Sequence, residues 1–179
     1  SGKTPLNEGG NGIIDSSEDF DDDNLPTGLE EGIGTDPFVV DTDGDGLRDA
    51  FEHRNQEEDS LNPTNADSDD DRTPDSREDP DGEGLVNIDE QANGTDPHDP
   101  DTDGDTLTDA FEIRTSLTSH TNADSDSPRT DVNEAGDGTL DGSEDFDGDG
   151  LNNTVEQRIG TNPYAPDTDS DGLTDWYEY

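Results

Sequence analysis

The stretch DTDGDGLRDAFE, residues 41–52, carries carboxylates at its first, third, fifth, ninth and twelfth positions and glycine at its sixth. It lies in a chain of 179 residues that has 52 acidic and 8 basic residues, for a net charge of −44. Two carboxylates about 4 Å apart repel each other by about 1 kcal/mol even in water. Five converging carboxylates therefore require a divalent cation.

The composition of the whole chain points the same way. Only 21% of the residues are hydrophobic, which is typical of a disordered chain unless something other than an apolar core holds it. The chain has no cysteine, which excludes disulfides, and no apolar run long enough for a membrane span or signal peptide. The negative charge argues against nucleic acid and anionic membrane surfaces as partners and favours a cation.

The acidic stretch recurs along the chain. Residues 1–53 align without a gap with residues 127–179, and 27 of the 53 positions are identical. This regularity predicts a tandem array in which each repeat contacts its neighbours, because disorder alone would not preserve the register. Eight loops of twelve residues start at Asp19, Asp41, Asp67, Asp79, Asp101, Asp124, Asp145 and Asp167. They divide the chain into 1–18 (second half of a split loop), 19–78 (three loops), 79–144 (three loops with an insertion at 127–136) and 145–179 (two loops).

The first residues match the middle of a loop. Residues 1–10 resemble the insertion at 127–136, and the following residues resemble the second half of the sixth loop. We therefore expect the missing acids to come from a preceding repeat or a neighbouring copy. The expected partner is the protein itself, either as one longer repetitive chain or as a head-to-tail polymer.

The spacing of the acids is that of a calcium-binding loop. Oxygen ligands at positions one, three, five, seven, nine and twelve, with glycine at six, suit a hard cation such as Ca²⁺. Position seven offers its backbone carbonyl, and the glutamate at twelve closes the shell. We predict about eight Ca²⁺ ions per chain. The candidate ligands, in loop order, are Asp19, Asp21, Asp23, Leu25, Glu30; Asp41, Asp43, Asp45, Leu47, Asp49, Glu52; Asp67, Asp69, Asp71, Asp75, Glu78; Asp79, Asp81, Glu83, Leu85, Asn87, Glu90; Asp101, Asp103, Asp105, Leu107, Asp109, Glu112; Asp124, Asp126, Asp137, Asp141, Glu144; Asp145, Asp147, Asp149, Leu151, Asn153, Glu156; and Asp167, Asp169, Asp171, Leu173, Asp175, Glu178.

Several loops depart from the pattern at the turn. Asn24 replaces the sixth-position glycine of the first loop and is the next-best residue there. Arg72 in the third loop and Thr106 in the fifth carry a steric penalty at the same position. The sixth loop can form only if residues 127–136 loop out.

Short helices are predicted between the acids. Leucine at position seven and an apolar residue at position eleven, as in Leu47 and Phe51, share one face of a helical turn. The C-cap positions of two or three helical turns fall at Gly34, Gly94 and Gly160.

The motif D-x-D-x-D-G-L-x-D-x-x-E, followed by G-T-(D/N)-P, resembles the thrombospondin type 3 repeat in its cysteine-free bacterial and archaeal form. The resemblance covers nearly the whole chain. It implies a non-enzymatic, extracellular protein with few regular elements: an elongated tandem array of calcium-binding loops with short helical stubs. Such an array serves as a cell-surface filament, stalk or adhesin spacer, with Ca²⁺ in place of a hydrophobic core.

The sequence also bears on two other kinds of calcium-binding protein. Paired EF-hands need long flanking helices and an apolar eighth position, which here is Arg48, Thr108, Asn152 or Thr174. A dockerin-like or other calcium-dependent protein-binding module, or a calcium buffer, is the alternative function. A solvated acidic surface, as in halophilic proteins, accounts for part of the charge, because eight divalent ions would reduce −44 only to −28.

Overall fold

The computed structural model describes residues 15–56, 61–125 and 137–179. Across these ranges the chain is mostly loop, with short helices and no strand. The prediction of few regular elements is therefore confirmed. The α-helices are α1 (Thr27–Ile33), α2 (Asp49–Arg54), α3 (Asn87–Asn93), α4 (Asp109–Phe111), α5 (Asn153–Ile159) and α6 (Asp175–Glu178). Short 3-10 turns cover Asp15–Ser17, Asp75–Arg77 and Asp141–Ser143, and a π-helical turn covers Glu112–Ser116.

Each α-helix begins at the ninth position of a loop, and the longer ones end at glycine. Gly34 (φ 98°) and Gly160 (φ 83°) adopt the left-handed conformation, and their N–H groups donate to the carbonyls of Glu30 and Glu156. These are the predicted C-caps. The three longest helices, α1, α3 and α5, have seven residues each, which is about two turns as predicted, whereas α2, α4 and α6 are shorter. The π-helical turn after α4 is not followed by glycine, and its C-cap residue Leu117 adopts the left-handed conformation at φ 56°.

One backbone hydrogen bond closes every loop. The N–H of the ninth residue donates to the carbonyl of the residue just before the first position, at 2.8–3.1 Å in all eight loops. In the sixth loop this bond joins Asp141 to Ala123 at 3.0 Å, so the two halves meet on either side of the insertion. The insertion itself lies outside the described residues.

The sixth position of each loop is left-handed whatever residue occupies it. Gly46 has φ 112°, while Asn24, Arg72 and Thr106 have φ 82°, 82° and 83°. A left-handed non-glycine residue costs about 1–3 kcal/mol and persists only where surrounding structure enforces it. The loops that depart from glycine therefore keep the turn and carry its strain.

The interior of the described structure is mainly polar. Twenty polar or charged residues are buried there, against nine aliphatic or aromatic ones. The seventh-position leucines are buried in five loops (Leu25, Leu47, Leu85, Leu107 and Leu151), whereas Leu173 in the eighth loop is 43% exposed. Leu47, Phe51 and Leu61 form a small apolar cluster against Ile88. This cluster is too small to stand for a hydrophobic core.

The chain forms two compact units. The first comprises the residues up to Glu78 together with Val86–Ala92, and the second comprises Asp79–Leu85 together with Asn93–Tyr179. The first therefore holds loops one to three, and the second holds loops five to eight. The fourth loop contributes residues to both.

Candidate metal centres

The first three acids of a loop converge on one point. One carboxylate oxygen from each of Asp41, Asp43 and Asp45 can be chosen so that all three lie within 4.8 Å of one another. Oxygen ligands lie 2.3–2.6 Å from Ca²⁺, so oxygens on opposite sides of one ion would be separated by roughly 4.8 Å. The same convergence occurs at Asp19, Asp21 and Asp23, at Asp67, Asp69 and Asp71, and at Asp101, Asp103 and Asp105.

Backbone N–H groups hold these acids in place. In the second loop, Gly46 donates to Asp41 Oδ2 at 3.0 Å, and Leu47 donates to Asp45 Oδ1 at 2.7 Å. The bond from position six to the first acid occurs in all eight loops at 2.9–3.1 Å. The bond from position seven to the fifth acid also occurs in all eight. These bonds orient the carboxylates towards one another.

The twelfth-position glutamates of several loops are buried close to the first acids of the same loop. Glu30, Glu52, Glu90, Glu112 and Glu156 are each 0% exposed. Both carboxylate oxygens of Glu30 and of Glu52 are buried without a hydrogen-bond partner, as is Oε2 of Glu112 and of Glu156. A buried charge without a partner costs several kcal/mol. The donor set therefore fits a hard cation, because it is oxygen-only and converging and includes buried oxygens of Glu30, Glu52, Glu112 and Glu156 that accept no hydrogen bond.

Burial raises the pKa values of these glutamates. Loss of hydration raises the pKa of Glu52 from 4.5 to about 9, and the nearby charge of Asp43 adds to it. Burial also raises the pKa of Glu112 to about 9 and that of Glu156 to about 8. The pKa values of Glu30 and Glu78 rise to about 7 for the same reason. Without a cation, several of these groups hold protons at neutral pH, and a divalent ion would replace those protons.

The ninth-position aspartates are held by the residue at position two. Thr42 donates its N–H and its hydroxyl to the two oxygens of Asp49, at 2.8 and 2.7 Å. Matching pairs are Ser68 with Asp75, Thr102 with Asp109, Ser125 with Asp141 and Thr168 with Asp175.

The calcium-loop pattern does not include these hydroxyl residues, although the sequence contains their signal. Serine or threonine occupies position two in each loop whose ninth residue is aspartate, and Pro80 and Phe146 occupy it where the ninth residue is asparagine. The side-chain amides of Asn87 and Asn153 instead donate to the carbonyls of Asp75 and Asp141, at 2.6 and 2.7 Å.

The remaining candidates are less enclosed. Asp69 and Asp71 of the third loop are exposed, as are Asp169, Asp171 and Glu178 of the eighth. In the sixth loop, Gly138 donates to Asp124 Oδ2 at 2.9 Å, which brings Asp124 and Asp137 into one loop. Asp126 lies outside the described residues. The fourth loop is divided, with Asp79, Asp81, Glu83 and Leu85 in the second unit and Asn87 and Glu90 in the first.

A family model described as the bacterial TSP3 repeat matches residues 41–55 and 145–166. These segments are thrombospondin type 3 repeats. No curated protein and no solved structure shows a significant match to the chain.

The loop geometry extends beyond the two matched TSP3 segments. The fifth loop, at residues 101–112, has the same closing bond and the same bonds to its first and fifth acids as the matched second loop. TSP3 repeats are calcium-binding structural modules, and the acidic clusters of this chain fit a metal ion. Among the described residues, no helix has the length and apolar character to cross a membrane.

Proposed function

We propose that this chain is a non-enzymatic, extracellular structural array whose loops bind about eight Ca²⁺ ions in place of a hydrophobic core. The observation that carries the proposal is the set of buried carboxylate oxygens without a hydrogen-bond partner at Glu30, Glu52, Glu112 and Glu156, close to the acids of the same loops. A fold that buries such groups needs a cation to be stable near neutral pH.

The binding energy is of the right size for this role. Extracellular calcium modules bind with dissociation constants of about 10⁻⁴–10⁻³ M. At a tenfold excess of Ca²⁺, each site would add about 1.4 kcal/mol. Eight independent sites would then give about 11 kcal/mol, which is comparable to the stability of an ordinary domain at about 5–15 kcal/mol.

The array is proposed to act as a filament, stalk or adhesin spacer, continued by further repeats of the same kind. Internal repetition supports this, since residues 1–53 and 127–179 share 27 of 53 positions. The segments 19–78, 79–144 and 145–179 are proposed as its repeating units. A saline habitat is proposed from the charge that eight Ca²⁺ ions would leave. Electron microscopy of the native material with and without Ca²⁺ would test the polymer.

Removal of the metal tests the central proposal. Chelation at pH 7.5 should expand the chain in small-angle X-ray scattering and remove the circular dichroism of the short helices, and Ca²⁺ should restore both. Mg²⁺ at the same concentration is the control, because it demands octahedral geometry at shorter distances and gives up its water reluctantly. A chain that stays equally compact after chelation, or that binds fewer than about three ions in calorimetric titration, would refute the proposal.

A further inference from the structure

Consecutive loops are joined by a repeated hydrogen bond. The N–H of the tenth residue of one loop donates to the fifth-position acid of the loop before it. The bond occurs in five pairs: Ala50 to Asp23 at 3.1 Å, Ser76 to Asp45 at 2.7 Å, Ala110 to Glu83 at 2.6 Å, Gly142 to Asp105 at 3.0 Å and Trp176 to Asp149 at 2.9 Å. Because the ninth residue directly precedes the tenth, this bond brings the ninth-position aspartate to the preceding loop.

One of these junctions has the geometry of a shared metal site. Oxygen atoms of Asp105 and Glu112 in the fifth loop and of Asp141 in the sixth lie within 4.8 Å of one another, and all three residues are 0% exposed. Glu112 Oε2 is buried there without a hydrogen-bond partner, and so are both carboxylate oxygens of Asp103. Glu112, which has a buried oxygen without a hydrogen-bond partner, thus lies among carboxylates from two consecutive loops.

We propose that the aspartate at the ninth position of one loop is a ligand of the Ca²⁺ ion in the loop before it. The sequence pattern alone assigned this aspartate to its own loop. The inference rests on the proposed calcium binding and adds which residues complete each site.

The arrangement at Asp141 recurs at other junctions. Asp75 of the third loop is among the carboxylates that face Glu52 of the second, and Asp49 of the second is among those that face Glu30 of the first. Asp175 of the eighth loop likewise faces Glu156 and Asp147 of the seventh. In every case the hydroxyl residue at position two of the aspartate's own loop orients the carboxylate.

Shared aspartates would couple the Ca²⁺ ions of consecutive loops into sets. The ninth position is aspartate in loops two, three, five, six and eight, but it is Thr27, Asn87 and Asn153 in loops one, four and seven. Neither threonine nor asparagine supplies a carboxylate. The shared aspartates therefore connect loops one to three, four to six, and seven to eight. Calcium binding should be cooperative within each set.

The seventh and eighth loops allow a direct test. Trp176 is the only tryptophan in the chain, and its ring lies over Gly150, at the turn of the seventh loop. Tb³⁺, which takes oxygen ligands as Ca²⁺ does, would be sensitised there by excitation of tryptophan. The full chain should first carry Asp167→Asn and Asp169→Asn, which disable the eighth loop as a site of its own.

In that background, Asp175→Asn should weaken Tb³⁺ binding at the seventh loop about tenfold or more, because the number of charged ligands sets the affinity of such a site. The matched control is Glu178→Gln, which removes a carboxylate assigned only to the disabled eighth loop, and it should change the affinity much less. An unchanged affinity in Asp175→Asn would overturn the inference, and so would an equal loss in the control. If the unmodified chain bound neither Tb³⁺ nor Ca²⁺, the proposed function itself would fail.

A second test, on the fifth and sixth loops, controls for local unfolding of the last loop. With the sixth loop disabled by Asp124→Asn and Asp137→Asn, Asp141→Asn should weaken the site in the fifth loop about tenfold. At a free concentration equal to the original dissociation constant of that site, the number of Ca²⁺ ions bound should then fall by about 0.4. An unchanged number of bound ions would contradict sharing at the junction where the oxygens are seen to converge.

Discussion

Replacing Glu52 with glutamine should have opposite effects on the calcium-free and the calcium-bound chain. Burial raises the pKa of Glu52 from 4.5 to about 9, so the folded, calcium-free chain keeps this carboxyl protonated at pH 7. The unfolded chain ionises it. Each pKa unit is worth about 1.4 kcal/mol, so at pH 7 the group disfavours the calcium-free fold by about 3 kcal/mol relative to pH values below 4.5.

The sign of the pH dependence follows from the raised pKa. The contribution of Glu52 to stability is fully present below the unfolded pKa near 4.5 and is lost as pH rises towards the folded pKa near 9. Glu112 has a similarly raised pKa, and together the two groups would remove about 6 kcal/mol by pH 7. Decalcified protein should therefore be compact near pH 5 and expanded near pH 8, whereas saturating Ca²⁺ should abolish this difference.

Glutamine imitates the protonated carboxyl and cannot close a calcium site with two charged oxygens. Glu52→Gln should therefore make the decalcified chain more stable at pH 7, by about 3 kcal/mol, and should lower the number of Ca²⁺ ions bound by one. The pH at which the dialysed, decalcified chain expands in small-angle X-ray scattering should be higher in Glu52→Gln, which measures the first effect, and calorimetric titration measures the second. Glu178→Gln, at an exposed twelfth position, is the matched control and should change decalcified stability much less. If Glu52→Gln destabilised the decalcified chain, the account of a protonated, unpaired carboxylate would be wrong.

Three further changes probe other parts of the fold. Arg72→Gly should relieve the left-handed strain at φ 82° and stabilise the calcium-bound third loop by about 1 kcal/mol. The melting temperature at limiting Ca²⁺ should therefore rise, and an unchanged or lower melting temperature would contradict the strain. Leu47→Ala should lower the free energy of unfolding in saturating Ca²⁺ by about 2–5 kcal/mol, because Leu47 is 0% exposed. Leu173→Ala should lower it far less, because Leu173 is 43% exposed. Equal losses in urea unfolding would refute a role for the apolar cluster. Asn153→Ala should cost about 1 kcal/mol by removing the bond to the carbonyl of Asp141, and a neutral effect in the same assay would show that this bond adds no net stability.

Much of the local structure could be predicted from the sequence because it depends on neighbouring residues. The left-handed caps at Gly34 and Gly160 need only glycine after a helical turn. The shared conformation of the sixth position follows from the loop's own hydrogen bonds, which is why even Thr106 adopts it.

What could not be predicted depends on contacts between loops. The pattern treats Asp141 as a ligand of its own loop, yet it lies beside Glu112 because the N–H of Gly142 bonds to Asp105, 37 residues earlier. The seventh-position leucines look alike in sequence, but Leu107 is buried and Leu173 is not. Their surroundings come from other repeats, which a single loop motif does not encode.

The closing bond of the sixth loop has a consequence for how the chain can vary in length. Asp141 reaches back to Ala123, and Gly138 reaches Asp124, so the ends of the intervening segment are tied together by the loop itself. The entropic cost of lengthening such a segment grows only slowly with the number of residues. This point is therefore a suitable insertion site for foreign sequence. A tag, an epitope or an entire small domain could be displayed there while the acids on either side keep their positions.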